Sequence, residues 1–166
     1  MSRGKSIINV TGLICGAVCA ACAFLSRTIS GNAFDMAHKI QDLGVMPSMW
    51  IFNLLSVIWY FVIGVAIGMA VQGSDGACRE NTLEIYRGGL FFVTAFFLGL
   101  IWYPMFFVTQ VLFLALLVSI ILTACAVVCA YAWFKAGIGI SGVAMSAFSV
   151  WSLYVVVINF ATLMSI

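Results

Sequence analysis

The chain has 166 residues, of which 65% are hydrophobic and only 7% are charged, and its mean hydropathy is +1.22. Because a soluble globular domain carries about a quarter charged residues, this composition indicates a membrane protein and excludes a disordered chain, a collagen-like fibre and a small disulfide scaffold. The net charge of +2 arises from seven basic and five acidic residues. They are too few and too scattered to form a phosphate-binding surface, so nucleic-acid binding is excluded as well.

The first two predicted membrane spans lie between charged residues. A helix needs about 20 apolar residues to cross the hydrocarbon core of a bilayer, and a charged side chain within that core is costly. The uncharged run that ends before Arg27 predicts a span over residues 6–25. The run that ends before Asp75 predicts a second span over residues 49–71.

The first apolar run has a second interpretation, a cleaved signal peptide. Arg3 and Lys5 would form its basic region, and Ala21-Cys22-Ala23 resembles a small-residue cleavage site. The run is longer than the apolar region of most signal peptides, and this length favours a retained membrane span.

The connection between the first two spans, residues 26–48, is the only long one. Apolar and charged side chains recur in it with a helical period, which predicts a short amphipathic helix across the mouth of the bundle. The apolar residues of this pattern are Phe34, Met36, Ile40 and Leu43, and the polar ones are Asp35, His38, Lys39 and Asp42.

The uncharged run from Arg87 to Lys135 is about twice the length of one span. Pro104 near its middle removes a backbone hydrogen bond and breaks or ends a helix, so we expect a hairpin that turns near this residue. Glycines after Lys135 predict a tight helix exit before the last span. The last three predicted spans cover residues 88–103, 109–134 and 140–166. The expected fold class for residues 1–166 is therefore a single all-α membrane domain, a bundle of five transmembrane helices.

Basic residues in the connections predict the orientation of the bundle. Five of them fall on the side of the N-terminus and two on the opposite side. The five are Arg3, Lys5, Arg79, Arg87 and Lys135, and the two are Arg27 and Lys39. Because cytoplasmic loops carry an excess of Lys and Arg, we expect a multi-pass protein with a cytoplasmic N-terminus.

Polar and aromatic side chains recur on one face of the second and of the fifth predicted span. They are Asn53, Ser56, Tyr60 and Gly64 in the second span and Trp151, Tyr154 and Asn159 in the fifth. Polar groups at membrane depth usually face the bundle interior or a cavity. Two interpretations remain open: these groups line a ligand cavity, or they only form hydrogen bonds that hold the helices together.

Side chains that could carry out catalysis are scarce. His38 is the only histidine, the five carboxylates all lie in predicted loops, and five of the six cysteines lie within apolar runs. No Ser/His/Asp or Cys/His arrangement, phosphate loop or zinc signature can be assembled. We therefore expect neither an enzyme nor a metal site, and a buried proton relay is missing as well.

Three stretches of the sequence resemble the TspO/MBR family, the translocator proteins and tryptophan-rich sensory proteins. Residues 47–64 resemble the second-helix signature of this family, residues 102–107 are similar to the end of its third helix, and residues 147–159 are similar to its fifth helix. The matching positions are Trp50, Phe52, Tyr60 and Gly64 in the first stretch, Trp102, Phe106 and Phe107 in the second, and Trp151 and Asn159 in the third.

The resemblance implies a five-helix bundle, commonly a homodimer, with a pocket near the long first connection that binds porphyrins and other flat hydrophobic ligands, including sterols in eukaryotic members. It implies a membrane-embedded binding, transport or sensory protein, or receptor, that requires no cofactor. The alternative is a structural or assembly subunit without a ligand. The residues expected to bind the ligand are Trp50, Asn53, Tyr60, Trp102, Phe106, Trp151, Tyr154 and Asn159.

Four positions depart from the pattern of the family. Ser56 stands where the second helix usually carries another pocket tryptophan, and Gly99 stands where the third helix usually carries an asparagine. Leu54 and Ala147 replace prolines. Because a pocket tryptophan is missing, we do not expect the porphyrin-degrading activity of some bacterial members.

Overall fold

The computed structural model describes residues 10–29, 38, 40–42, 44–73 and 79–165. Five long helices account for nearly all of them: α1 (Val10–Ile29), α2 (Met49–Gly73), α3 (Arg79–Phe107), α4 (Leu112–Lys135) and α5 (Gly139–Ser165). The described residues form no strand. Each of the five helices is long and apolar enough to cross a membrane. The predicted all-α bundle is confirmed, and the protein is a multi-pass integral membrane protein.

Large apolar side chains cover the outside of the bundle. Leu90, Phe97 and Leu153, for example, are each more than half exposed. A helix pairs its backbone N–H and C=O groups in internal hydrogen bonds. A chain must do so within a membrane, because no water is present there to bond them. Apolar side chains that point outward meet lipid there, so the helices need no polar face.

The turn between α3 and α4 lies later in the chain than predicted. Pro104 lies inside α3, which continues to Phe107, and the chain turns at residues 108–111. Two backbone N–H groups of this turn donate to the Pro104 carbonyl at 3.0 Å, and Gln110 adopts a positive φ of 55°. The predicted hairpin is present, but the prediction that it turns near Pro104 is wrong.

A hydrogen bond from another helix explains why α3 tolerates Pro104. Proline has no N–H, so the carbonyl of Leu100, four residues earlier, lacks its usual helical partner. The Ser26 hydroxyl of α1 donates to that carbonyl at 2.9 Å. An unpaired carbonyl within a membrane is costly, and this contact removes the cost.

Two helices extend beyond the boundaries that the charge pattern predicted. α1 continues to Ile29, beyond the predicted end at residue 25, and α3 begins at Arg79 rather than at residue 88. Arg27 therefore lies in the last turn of α1 and not in a loop.

Glycines allow α1 and α2 to pack closely. A Cβ atom added to Gly64 would lie 2.7 Å from the Cα of Gly16, and one added to Gly68 would lie 2.6 Å from the Cα of Gly12. Both distances are shorter than van der Waals contact, so the backbones of the two helices touch. The four-residue spacing of Gly64 and Gly68 thus serves a contact within the chain.

The bundle consists of two units. α1 packs mainly on α2, while α3 packs on α4 and α4 on α5. The two units contact each other chiefly through α2 and α5, over a smaller area. One hydrogen bond across this junction joins the Ser141 hydroxyl to the Ala66 carbonyl at 2.8 Å.

The described part of the first connection closes one end of the bundle. Ile40 is fully buried and Met46 nearly so, in a core that includes Phe52 and Trp102. His38 and Asp42 are exposed. These residues agree with the predicted amphipathic segment, whose other members, Phe34, Asp35, Met36, Lys39 and Leu43, lie outside the described residues.

Candidate functional site

A small pocket of about 30 Å³ lies where the five helices converge, toward the end closed by the first connection. It is lined by Arg27 of α1, by Phe52, Ser56 and Tyr60 of α2, by Gly99 and Trp102 of α3, by Leu122 of α4, and by Phe148, Trp151, Ser152 and Val155 of α5. Pockets for small organic ligands commonly measure about 300–1,000 Å³, so this one must widen before it can hold such a ligand.

Other aromatic rings surround Trp151, which lines the pocket. The ring centre of Trp151 lies 5.5 Å from that of Phe52 and 5.5 Å from that of Tyr154. Trp59 stacks on Trp151 at 6.4 Å with an angle of 28° between the ring planes. Trp151 and Trp59 are both half-buried. The pocket therefore has, at Trp151, a flat aromatic surface that is partly accessible.

Gly99 makes room for the hydroxyl of Tyr60. A Cβ atom added to Gly99 would overlap the Tyr60 hydroxyl oxygen and would lie 3.1 Å from Leu122. An asparagine at this position, as in the family pattern, would require Tyr60 to move. The glycine at position 99, where the family pattern has asparagine, therefore leaves the space that the Tyr60 hydroxyl occupies.

The two serines of the pocket donate to backbone carbonyls of their own helices. Ser56 bonds to the Phe52 carbonyl at 2.7 Å, and Ser152 to the Ser149 carbonyl at 2.9 Å. Their oxygen atoms can still accept hydrogen bonds.

Arg27, which the charge pattern places in a loop, lines the pocket. Its guanidinium carbon lies 5.0 Å from the ring centre of Tyr103 and 6.0 Å from that of Tyr60. Both distances are within the range of a cation–π interaction. Nη1 donates to the Ala23 carbonyl at 2.9 Å, whereas Nε is buried without a hydrogen-bond partner among the described residues.

Three of the predicted ligand-binding residues line the pocket: Tyr60, Trp102 and Trp151. The other five do not. Trp50 is 67% exposed on the outside of α2. Phe106 is fully buried and stacks on Trp102 at 5.2 Å, behind the pocket wall.

The remaining predicted polar residues form contacts within the protein. The Asn159 Oδ1 accepts a hydrogen bond from the Trp102 Nε1 at 3.3 Å, and its Nδ2 donates to the Val155 carbonyl at 2.7 Å. The Tyr154 hydroxyl donates to the Val45 carbonyl of the first connection at 2.9 Å.

Asn53 is the exception among these polar residues. Its Oδ1 is buried without a partner among the described residues.

The described side chains around the pocket define what it offers chemically. Among the described residues that line it, none is a histidine, a cysteine or a carboxylate. Across the described part of the chain, no three His, Cys, Asp or Glu residues lie close enough together to hold a metal ion. The lining offers aromatic faces, hydroxyl groups and one guanidinium.

A second cavity is a groove of about 360 Å³ between α1, α2 and α5. Its lining is entirely apolar and consists of Leu13, Phe61, Val62, Val65, Ala66, Met69, Ile140 and Ala144. A ligand site usually has a few polar groups that orient its occupant. The pocket beside Trp151 has them and this groove does not.

Comparison with known proteins gives one match. The sequence model of the TspO/MBR family matches residues 14–164, which is nearly the whole chain. No curated protein and no solved structure shows significant similarity to it.

Proposed function

Because this chain belongs to the TspO/MBR family, we propose that it binds a flat hydrophobic small molecule in the pocket beside Trp151, with porphyrin-type tetrapyrroles as the ligand class. The family supports a membrane-embedded role in binding, sensing or transport in general. Homodimer formation, which the family resemblance implies, stays a prediction.

The observation that carries the proposal is the position of Trp151. Its indole ring lines the pocket, is half-buried, and lies among the rings of Phe52, Trp59 and Tyr154. A flat aromatic ligand can stack on this surface. Such stacking contributes about 0.5–1.5 kcal/mol beyond the burial of apolar area.

A tetrapyrrole is larger than this pocket, so aromatic rings at and behind its wall must move to admit it. Trp59 belongs to α2 and Trp151 to α5, the two helices at the junction between the units. Because this junction is the smaller contact in the bundle, we expect these two rings to separate when the ligand enters.

The test is a porphyrin titration followed by tryptophan fluorescence, with the full chain in lipid nanodiscs. We expect a saturable quench in the wild type. Trp151→Ala should weaken binding tenfold or more, because the lost stacking adds to lost contact area at about 25 cal/mol per Å². Tenfold corresponds to about 1.4 kcal/mol.

Trp133→Phe is the matched control. Trp133 is fully buried between α3 and α4, stacks on Phe92 at 6.1 Å, and does not line the pocket. We expect its replacement to leave the affinity within about twofold, a difference of about 0.4 kcal/mol. Unchanged affinity in Trp151→Ala would contradict the assignment of the pocket.

A second candidate function is that of a structural or assembly subunit without a ligand. The hydrogen bonds of Asn159 with Trp102 and of Tyr154 with Val45 favour it, because they use polar groups to hold the bundle together. Quenching that rises linearly with porphyrin concentration, as simple partition into lipid produces, would support this candidate instead.

A further inference from the structure

We propose that Arg27 binds an acidic group of the ligand, so that the pocket prefers flat aromatic ligands that carry a carboxylate over uncharged ligands of the same shape. This inference rests on the proposed function of the pocket beside Trp151. It adds a specificity-determining residue that the sequence analysis did not identify.

The first support is the location of the guanidinium. Arg27 lines the same pocket as Trp102 and Trp151, and its cation faces the rings of Tyr60 and Tyr103. A ring stacked on Trp151 and an acid held by Arg27 would thus occupy one continuous space. The side chain of Arg27 is half-buried, so it lies against the bundle and does not extend fully into lipid or water.

The second support is unused hydrogen-bonding capacity. A guanidinium carries five N–H donors and cannot accept a hydrogen bond. Among the described residues, the Ala23 carbonyl is the only acceptor that Arg27 has, and its Nε is buried without a partner. The planar arrangement of these donors matches the two oxygens of a carboxylate.

The third support is the balance of charge around the pocket. Charged groups at membrane depth are usually paired. Both ion pairs within the described residues involve Glu84, which bonds to Arg87 and Lys135 near the start of α3 and the end of α4. Asp42, the described carboxylate of the first connection, is exposed and forms no ion pair with Arg27. A ligand carboxylate would supply a negative charge that no described residue places beside Arg27.

An alternative occupant is the phosphate of an anionic lipid, since a basic residue near a helix end often reaches toward the headgroups. We favour the ligand carboxylate because the guanidinium lies over two aromatic rings of the interior and borders the pocket. The experiment below separates the two sources of the acid.

The experiment compares deuteroporphyrin with its dimethyl ester, which has the same macrocycle and no carboxylates. The full chain is held in nanodiscs of phosphatidylcholine, which has no net charge, and empty nanodiscs correct for partition into lipid. For the wild type we expect binding of the acid to be at least tenfold tighter than binding of the ester.

Arg27→Gln should weaken binding of the acid tenfold or more and leave binding of the ester within twofold. Arg27→Lys keeps the charge but loses the planar pair of donors, so we expect an intermediate loss for the acid. If Arg27→Gln does not fold, Arg27→Lys decides the question by the same comparison. Arg87→Gln is the matched control, because it removes an exposed arginine near the start of α3, away from the pocket. The affinities for the acid and for the ester should both stay unchanged.

Three results would overturn the inference. The first is an equal loss for acid and ester in the Arg27 variants, and the second is no loss for either. The third is competition: if phosphatidylglycerol in the nanodisc weakens binding of the acid in the wild type but not in Arg27→Gln, the site belongs to a lipid headgroup.

The outcome also separates this inference from the proposed function. If both porphyrins bind saturably and Trp151→Ala weakens both, but the acid is not preferred, only the role of Arg27 fails. If neither porphyrin binds saturably, the proposed function fails and this inference fails with it.

Discussion

Asn159 is fully buried, and its side-chain amide is engaged at both ends. It accepts a hydrogen bond from the indole of Trp102 on α3 and donates one to the backbone of α5. Trp102 in turn lines the pocket. The contact therefore fixes a pocket ring from behind, without offering a polar atom to a ligand.

We expect Asn159→Ala to lower the stability of the protein more than its affinity for porphyrin. The variant removes a hydrogen bond between helices, and such bonds contribute about 0.6 kcal/mol on average in membrane proteins. Melting and porphyrin titration on the same sample would show this. Asn81→Ala, at an exposed position near the start of α3, is the control and should melt like the wild type. A loss of affinity with unchanged melting would indicate that Asn159 contacts the ligand.

Helical phase in the sequence identified some interior residues correctly. Tyr60 and Trp151 were expected to face inward, and both line the pocket. Helical phase does not show whether a polar atom already has a hydrogen-bond partner within the protein. The partners of Tyr154 and Asn159 could therefore not be predicted from the sequence. Trp50 was selected by motif register alone, and at 100° per residue it lies off the face of Tyr60.

The charge pattern does not place Arg27 in the pocket, because a charge in this pattern marks only the end of a span. The spacing of small residues in α1 indicates where Arg27 points. Small residues recur there at steps of three and four, and Arg27 lies at the next such step. These residues are Gly12, Gly16, Cys19 and Ala23, all of them buried. Arg27 therefore lies on the face of α1 that packs inward. At this helix end, helical phase predicts the position of the side chain better than charge does.

At the scale of helices, the contact between α1 and α2 depends on the absence of side chains. A Cβ atom at Gly64 would meet the Cys15 carbonyl oxygen and the Gly16 Cα, both at 2.7 Å. These are backbone atoms, so relief requires one helix to shift as a whole. Close packing of this kind is a main source of helix association in lipid.

We expect Gly64→Ala to destabilise the protein by about 1–3 kcal/mol, the usual cost of forcing an extra group into a packed contact. Gly89→Ala provides the comparison, because a Cβ atom at this helical position of α3 meets nothing within 4 Å. Unfolding in a denaturing detergent measures both variants. Equal stability of the two variants would show that the glycine contact is not needed.

The number of helices could be predicted from the sequence, but not every boundary. Apolar length is a local property, so the five spans could be counted directly. Whether Pro104 ends α3 depends on a partner for the Leu100 carbonyl, and Ser26, which supplies it, is distant in the chain. Local sequence contains no information about that contact.

For the whole molecule, we expect the N-terminus to lie in the cytoplasm and the C-terminus on the opposite side. Five spans separate the termini, and Arg87 and Lys135, which pair with Glu84, lie at the end of the bundle expected to face the cytoplasm. Reporter fusions at each terminus test this prediction. Reporters on the same side would contradict five crossings, and a reversed result would contradict the orientation alone.

The junction between the two units links ligand supply to the lifetime of the protein. A ligand in the pocket would contact α2 on one side of this junction and α3 and α5 on the other. A ligand that binds only the native state stabilises it by about 2.7 kcal/mol at a hundredfold excess over Kd. Cellular quality control removes proteins according to how often they unfold. The amount of this protein in the membrane would then rise and fall with its ligand, even at a constant rate of synthesis.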